Sequence, residues 1–183
     1  MENKEKNSSA LEILENYDKE SGSLLSSKRK ERNDETLILV VEDENFSRKL
    51  LIDSLKIKWK YTVLSALDGA QAAEHYIKSA PDIVFLNIEL PDCDGQELLQ
   101  KISEIDPDSF VIMTTAHTAT EDIKYSIYSG AKGYLAKPIT ALKLEEHIEI
   151  YLKKWEKSKG EISYDRSRKT HCRTKPVKRF NRR

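Results

Sequence analysis

Cysteine is scarce in this chain, and the two that occur, Cys93 and Cys172, stand far apart in no metal-like spacing. That argues against a disulfide framework or a thiolate metal cluster and fits a reduced, cytosolic setting. No apolar run approaches the roughly 18 residues that a membrane-spanning helix requires. The amino terminus lacks the apolar core of a signal peptide. The expected protein is therefore soluble and cytoplasmic, with no membrane span. An excess of one charge is also lacking, since 31 basic residues balance 31 acidic ones. That balance is uneven along the chain. Residues 1–35 carry 7 Lys/Arg and 9 Asp/Glu, residues 36–152 carry 11 and 19, and residues 153–183 carry 13 and 3. An acidic middle with a basic end suggests a different partner for each.

Residues 1–35 are rich in Glu, Lys, Asn and Ser, a composition that buries little. They are expected to be mostly disordered, with Ser8 to Tyr17 as a short helix that either frays within the tail or docks on the domain. Leu24 and Leu25 are too short a run to interpret. Residues 158–183 have no sustained periodicity and read as a disordered basic tail, open to nucleic acid or an acidic partner. Between the tails, residues 36–157 alternate strand and helix patterns. Apolar β-branched runs mark strands at 36–41, 61–65, 83–86, 109–114 and 133–136. Helical spacing follows each of them, at 46–58, from about 70 to 77, at 95–105, from Thr120 to Gly130, and from about Thr140 to about Lys157. Asn45 is the expected cap of the first of these. Phe46, Leu50 and a stripe of Leu144, Ile148, Tyr151 and Trp155 are assigned to the core. Five strands alternating with five helices predict an α/β fold, a parallel sheet covered on both faces with right-handed crossovers.

The stretch PDIVFLNIELPDCDG, residues 81–95, contains the central strand and ends it on Asn87. In an open α/β sheet, ligands and chemistry collect beyond the carboxyl ends of the strands. Four of those tips carry polar residues: Glu42 and Asp43, Asn87, Thr114 and Thr115, and Lys137. Paired carboxylates with a nearby carbonyl suit Mg2+, an oxygen-seeking cation. A lysine beside them compensates charge and can hold an anionic oxygen. His75, His117 and His147 sit in no ligand spacing and read as surface or partly packed side chains. Cys93, in the loop after the central strand, is expected to be an exposed free thiol.

From about Thr36 to Leu152 the chain resembles the receiver domain of two-component response regulators. VVEDEN at 40–45, DG at 68–69, residues 81–95, TTAH at 114–117 and GAKGYLAKPI at 130–139 carry the resemblance. It implies a flavodoxin-like (βα)5 doubly wound sheet of strand order 2-1-3-4-5. Glu42 and Asp43 match the acidic pair that holds Mg2+, and Glu89 matches the position whose backbone carbonyl joins them. Thr115 matches the switch hydroxyl, Tyr134 the aromatic that moves with it, and Lys137 the lysine on a phosphoryl oxygen. The family has a cis bond before the proline that matches Pro138. The face formed by the fourth helix, fifth strand and fifth helix of the core matches the family's usual partner surface.

The phosphoacceptor position departs from the pattern. The family has an aspartate there and this chain has Asn87. A carboxamide has nearly the same shape but is a poor nucleophile. Its nitrogen bears hydrogens and cannot ligate a cation. A Mg2+ site at Glu42, Asp43, Asn87 and Glu89 is therefore expected to be weak or absent, with Lys137 pairing mainly with Asp43. The resulting expectation is a pseudo-receiver, not an enzyme, that acts by protein–protein contact. A working phosphorelay receiver with another acceptor and a nucleic-acid-binding regulator are the alternatives.

Overall fold

The computed structural model describes residues 10–17, 22–32, 35–116 and 120–158, with side chains through residue 153. His117, Cys172 and the basic stretch from residue 159 onward lie outside the described residues, as does the side chain of Trp155. The elements run α1 (10–15), α2 (Gly22–Glu31), β1 (Leu37–Val41), α3 (Asn45–Trp59), β2 (Thr62–Ala66), α4 (Gly69–Ser79), β3 (Ile83–Asn87), α5 (Gly95–Ile105), β4 (Val111–Thr115), α6 (Thr120–Tyr128), β5 (Gly133–Ala136) and α7 (Ala141–Ser158). The strands form one parallel sheet in the order β2-β1-β3-β4-β5. Every residue of β1, β3 and β4 is buried. That is why these strands read as continuous apolar runs without alternation.

Side chains leave the two faces of the sheet in turn. Leu39, Val41, Val84, Leu86, Val111 and Met113 pack under α4 and α5. Ile38, Val40, Ile83, Phe85 and Ile112 pack under α3 and α7, where Leu144, Ile148 and Tyr151 form the buried stripe. Phe110 and Tyr151 meet edge to face, 5.2 Å between centroids. Among the described residues, no helix is long and apolar enough to cross a membrane.

The structure corrects four expectations. The amino-terminal residues it describes form helices and belong to the core: Ala10, Leu14 and Leu25 are fully buried in the α4/α5 cluster. A few well-placed anchors fold a segment whose average composition is polar. Phe46 and Leu50 are 73% and 50% exposed. Helix α3 carries two apolar stripes, and Leu51 and Leu55 face the sheet, turning the other stripe outward. Asn45 does not cap α3. Glu44 does, its carboxylate accepting from the N–H groups of Phe46 (2.8 Å) and Ser47 (2.6 Å), and these bonds hold the Glu44 carboxyl below its usual range. Finally, Cys93 is buried.

Candidate functional site

Parallel register brings the tips of β1, β3, β4 and β5 to one edge of the sheet, Asn87 lying opposite Thr114. Just past β1 comes Glu42, which is 2% exposed, while the next residue, Asp43, turns to solvent. Asn87 is buried, and Lys137 reaches the crevice from beyond β5, just before the cis peptide bond to Pro138. The loop after β3 closes tightly. Gly95 donates its N–H to the carbonyl of Ile88 (2.7 Å), and Ile88 donates its own to Thr114 (3.1 Å). A Cβ at Gly95 would sit 2.1 Å from the backbone oxygen of Asn87, so only glycine fits there.

The Asn87 amide is wired at both ends. Its Nδ2 donates to the backbone carbonyl of Glu89 (2.7 Å) and to Asp43 Oδ1 (3.1 Å), with a longer contact to Glu42 Oε1 (3.5 Å). Its Oδ1 accepts from Lys137 Nζ at 3.4 Å. Lys137 makes its ion pair with Glu42 Oε2 at 2.6 Å. The expected pairing with Asp43 is thus corrected. Glu42 is the buried carboxylate of the pair, and a buried charge must be partnered, whereas Asp43 is solvated. Arg48, missed from sequence, donates to the carbonyls of Glu42 (2.8 Å) and Asp43 (3.0 Å) from the first turns of α3. Its position soon after the acidic strand tip was the only available signal.

The other resemblance-derived positions also come together. Thr115 is buried at the end of β4 and is hydrogen-bonded to Tyr134, which packs against the α4/α5 cluster. Burial and the negative charge of Asp122 push the Tyr134 hydroxyl up, and the Thr115 bond pulls the other way.

The oxygens that would hold Mg2+ can be tested against this geometry. Asn87 presents nitrogen toward Asp43 and Glu89, and that nitrogen consumes the lone pairs a cation would need. Turning the amide over would set its N–H groups against the Lys137 ammonium and its oxygen against two carboxylates. The residues as arranged do not fit Mg2+: an N–H donor, where a cation needs an oxygen, lies between the acidic groups.

The response regulator receiver domain model matches residues 38–149, more than half of the chain. The chain belongs to the response-regulator receiver family. This receiver is 35% identical over 111 residues to the chemotaxis protein CheY of Bacillus subtilis, covering 61% of this chain and 92% of that one. It is 32% identical over 133 residues to the sensor histidine kinase RcsC of Salmonella typhi. That match covers 73% of this chain but spans only 14% of the kinase. Among solved structures, a CheY-like receiver domain protein from Methanospirillum hungatei superposes with a TM-score of 0.64 at 27% identity, covering 68% of this chain and 99% of that one. The receiver fold, the strand order and a place in two-component signalling follow from that membership.

Proposed function

We propose that this receiver acts as a pseudo-receiver, signalling by phosphorylation-independent protein–protein contact. The orientation of the Asn87 amide carries the reading. Phosphoryl transfer to a receiver requires a carboxylate nucleophile, with a cation to offset the charge gathered in the crevice. Here the nucleophile is a neutral amide whose oxygen is engaged by Lys137 and whose nitrogen is engaged by Asp43 and Glu89. The Asn87 amide is thus engaged at both ends within the crevice, and the domain is proposed to have no enzymatic activity. The α6–β5–α7 face is the proposed contact surface. Tyr125, Ile127 and Tyr128 on α6 and Leu142 and Ile150 on α7 are exposed there, Tyr128 at 93%.

The test is to incubate the full chain with a small acyl phosphate and Mg2+ and to measure intact mass. The wild-type chain is expected to stay unmodified, and Asn87→Asp to gain a base-labile phosphoryl group. A base-labile adduct on the wild-type chain would overturn the proposal and favour a receiver with a different acceptor.

A further inference from the structure

Helices α1 and α2 lie across α4 and α5 but are held by different means. Helix α2 is clasped by polar bonds at the carboxyl end of α4. Lys28 donates to the carbonyl of Ile77, Arg29 to that of Pro81, and Arg32 to those of Ser79 and Ala80. Arg29 and Arg32 also pair with Asp106 and Asp82. Helix α1 is seated mainly through apolar side chains among the described residues. It is anchored by Ala10 and Leu14, with Ile13 and Tyr17 partly covered, and by a half-exposed ion pair of Glu15 with Lys101 at 3.0 Å. An ion pair that exposed contributes little, and so short a helix does not persist without its docking surface. Leu14 is the largest fully buried side chain of the helix.

What α1 rests on connects it to the crevice. A Cβ built on Gly69 would lie 3.2 Å from Ala10 Cβ and 2.2 Å from Cys93 Sγ, so α1, the start of α4 and the β3–α5 loop meet at one point. From there the loop is tied in both directions. Asp92 accepts from the N–H groups of Gly69 (2.7 Å) and Ala70 (2.9 Å). Asp94 bridges to Glu89, whose carbonyl receives the Asn87 amide. Ala10 and Cys93 thus pack against the same glycine, beside the loop whose backbone positions Asn87. The Cys93 thiol is pushed up to about 12 by burial and by Asp92.

The geometry points to α1 as a releasable strap. Docked, it presses the β3–α5 loop onto the Asn87 amide; undocked, it uncovers Cys93 and loosens the crevice, giving the domain an input that phosphoryl transfer does not supply. This inference concerns the extension and stands whether or not Asn87 excludes phosphorylation.

Full-length chain bearing Cys172→Ser leaves Cys93 as the sole thiol. Two quantities are measured: the rate of Cys93 labelling by an aromatic disulfide reagent, and the Asn87 side-chain NH2 signals in a 15N-resolved spectrum. Leu14→Asp is expected to speed labelling by about tenfold or more through local opening and to shift or broaden the Asn87 signals, with unfolding still cooperative. Glu15→Gln is expected to change the rate by less than about twofold. Unchanged labelling in Leu14→Asp would show that α1 is not releasable. Faster labelling with unmoved Asn87 signals would show that the strap covers the thiol without reaching the crevice. Either result overturns the inference. Should Leu14→Asp fail to fold, Leu14→Ala is read by the same two measurements, with smaller changes in the same direction.

Discussion

At the carboxyl ends of the strands Lys137 meets Glu42 beside Asn87, whereas at the amino ends Arg29 and Arg32 meet Asp106 and Asp82. The first group is unbalanced. Two carboxylates, one of them solvated, face a single ammonium, and a neutral amide fills the gap. The second group is balanced in charge. Asp106 also accepts from Tyr76 (2.6 Å), and Asp82 also accepts from the N–H of Leu37 (2.8 Å). Burial drives the Tyr76 hydroxyl far above its usual range, against the pull of Arg29, so it remains a proton donor to Asp106. The cations also sit at the carboxyl end of α4, where unpaired carbonyls and the helix dipole favour positive charge. The crevice has an amide at its centre between unequal charges, while the opposite end is a structural clasp in which each charge has a partner.

Removing one side of the clasp should have the largest effect. Arg29→Ala strands Asp106 and Tyr76 in the interior and is expected to cost about 3–5 kcal/mol, read as a lowered denaturation midpoint in guanidinium. A loss no larger than that of an exposed pair would dissolve the distinction between the two ends. At the crevice, Asn87→Asp adds a third carboxylate beside Glu42 and Asp43. Stability is expected to fall by about 1–2 kcal/mol without metal and to recover as Mg2+ is added. Thermal scans with and without the cation test this, and an Asn87→Asp chain indifferent to Mg2+ would mean that the amide is not standing in for a charge. The smallest change is expected midway between the two ends. Leu50→Ser on the outward stripe of α3 should move stability by less than about 0.5 kcal/mol, and a larger loss in the same denaturation series would return Leu50 to the core.

Much of the crevice was legible because its parts lie at the ends of successive apolar runs, and parallel pairing must gather such ends at one edge. Asn87, Thr115, Tyr134 and Lys137 are placed where the pattern puts them. The choice of Glu42 over Asp43 by Lys137 was not legible, since adjacent residues on a strand point to opposite sides and only the backbone decides which is buried. The clasp was hidden for a different reason. Arg29 finds Asp106 across 77 residues and Arg32 finds Asp82 across 50, separations that leave no periodic trace. Helix α1 was expected near Ser8 to Tyr17, but its burial was hidden, because it rests on two side chains inside a polar stretch.

The bond from Ile88 N–H to Thr114 has a bearing on time. Asparagine ages into aspartate chiefly when the following backbone nitrogen attacks the side-chain carbon and closes a succinimide ring. At this site that nitrogen is committed to the sheet ladder at 3.1 Å, and it belongs to a β-branched residue. Spontaneous deamidation would otherwise convert this chain, molecule by molecule, into one with an acceptor carboxylate. The ladder bond hinders that route, which favours retention of the amide at position 87 as the protein ages.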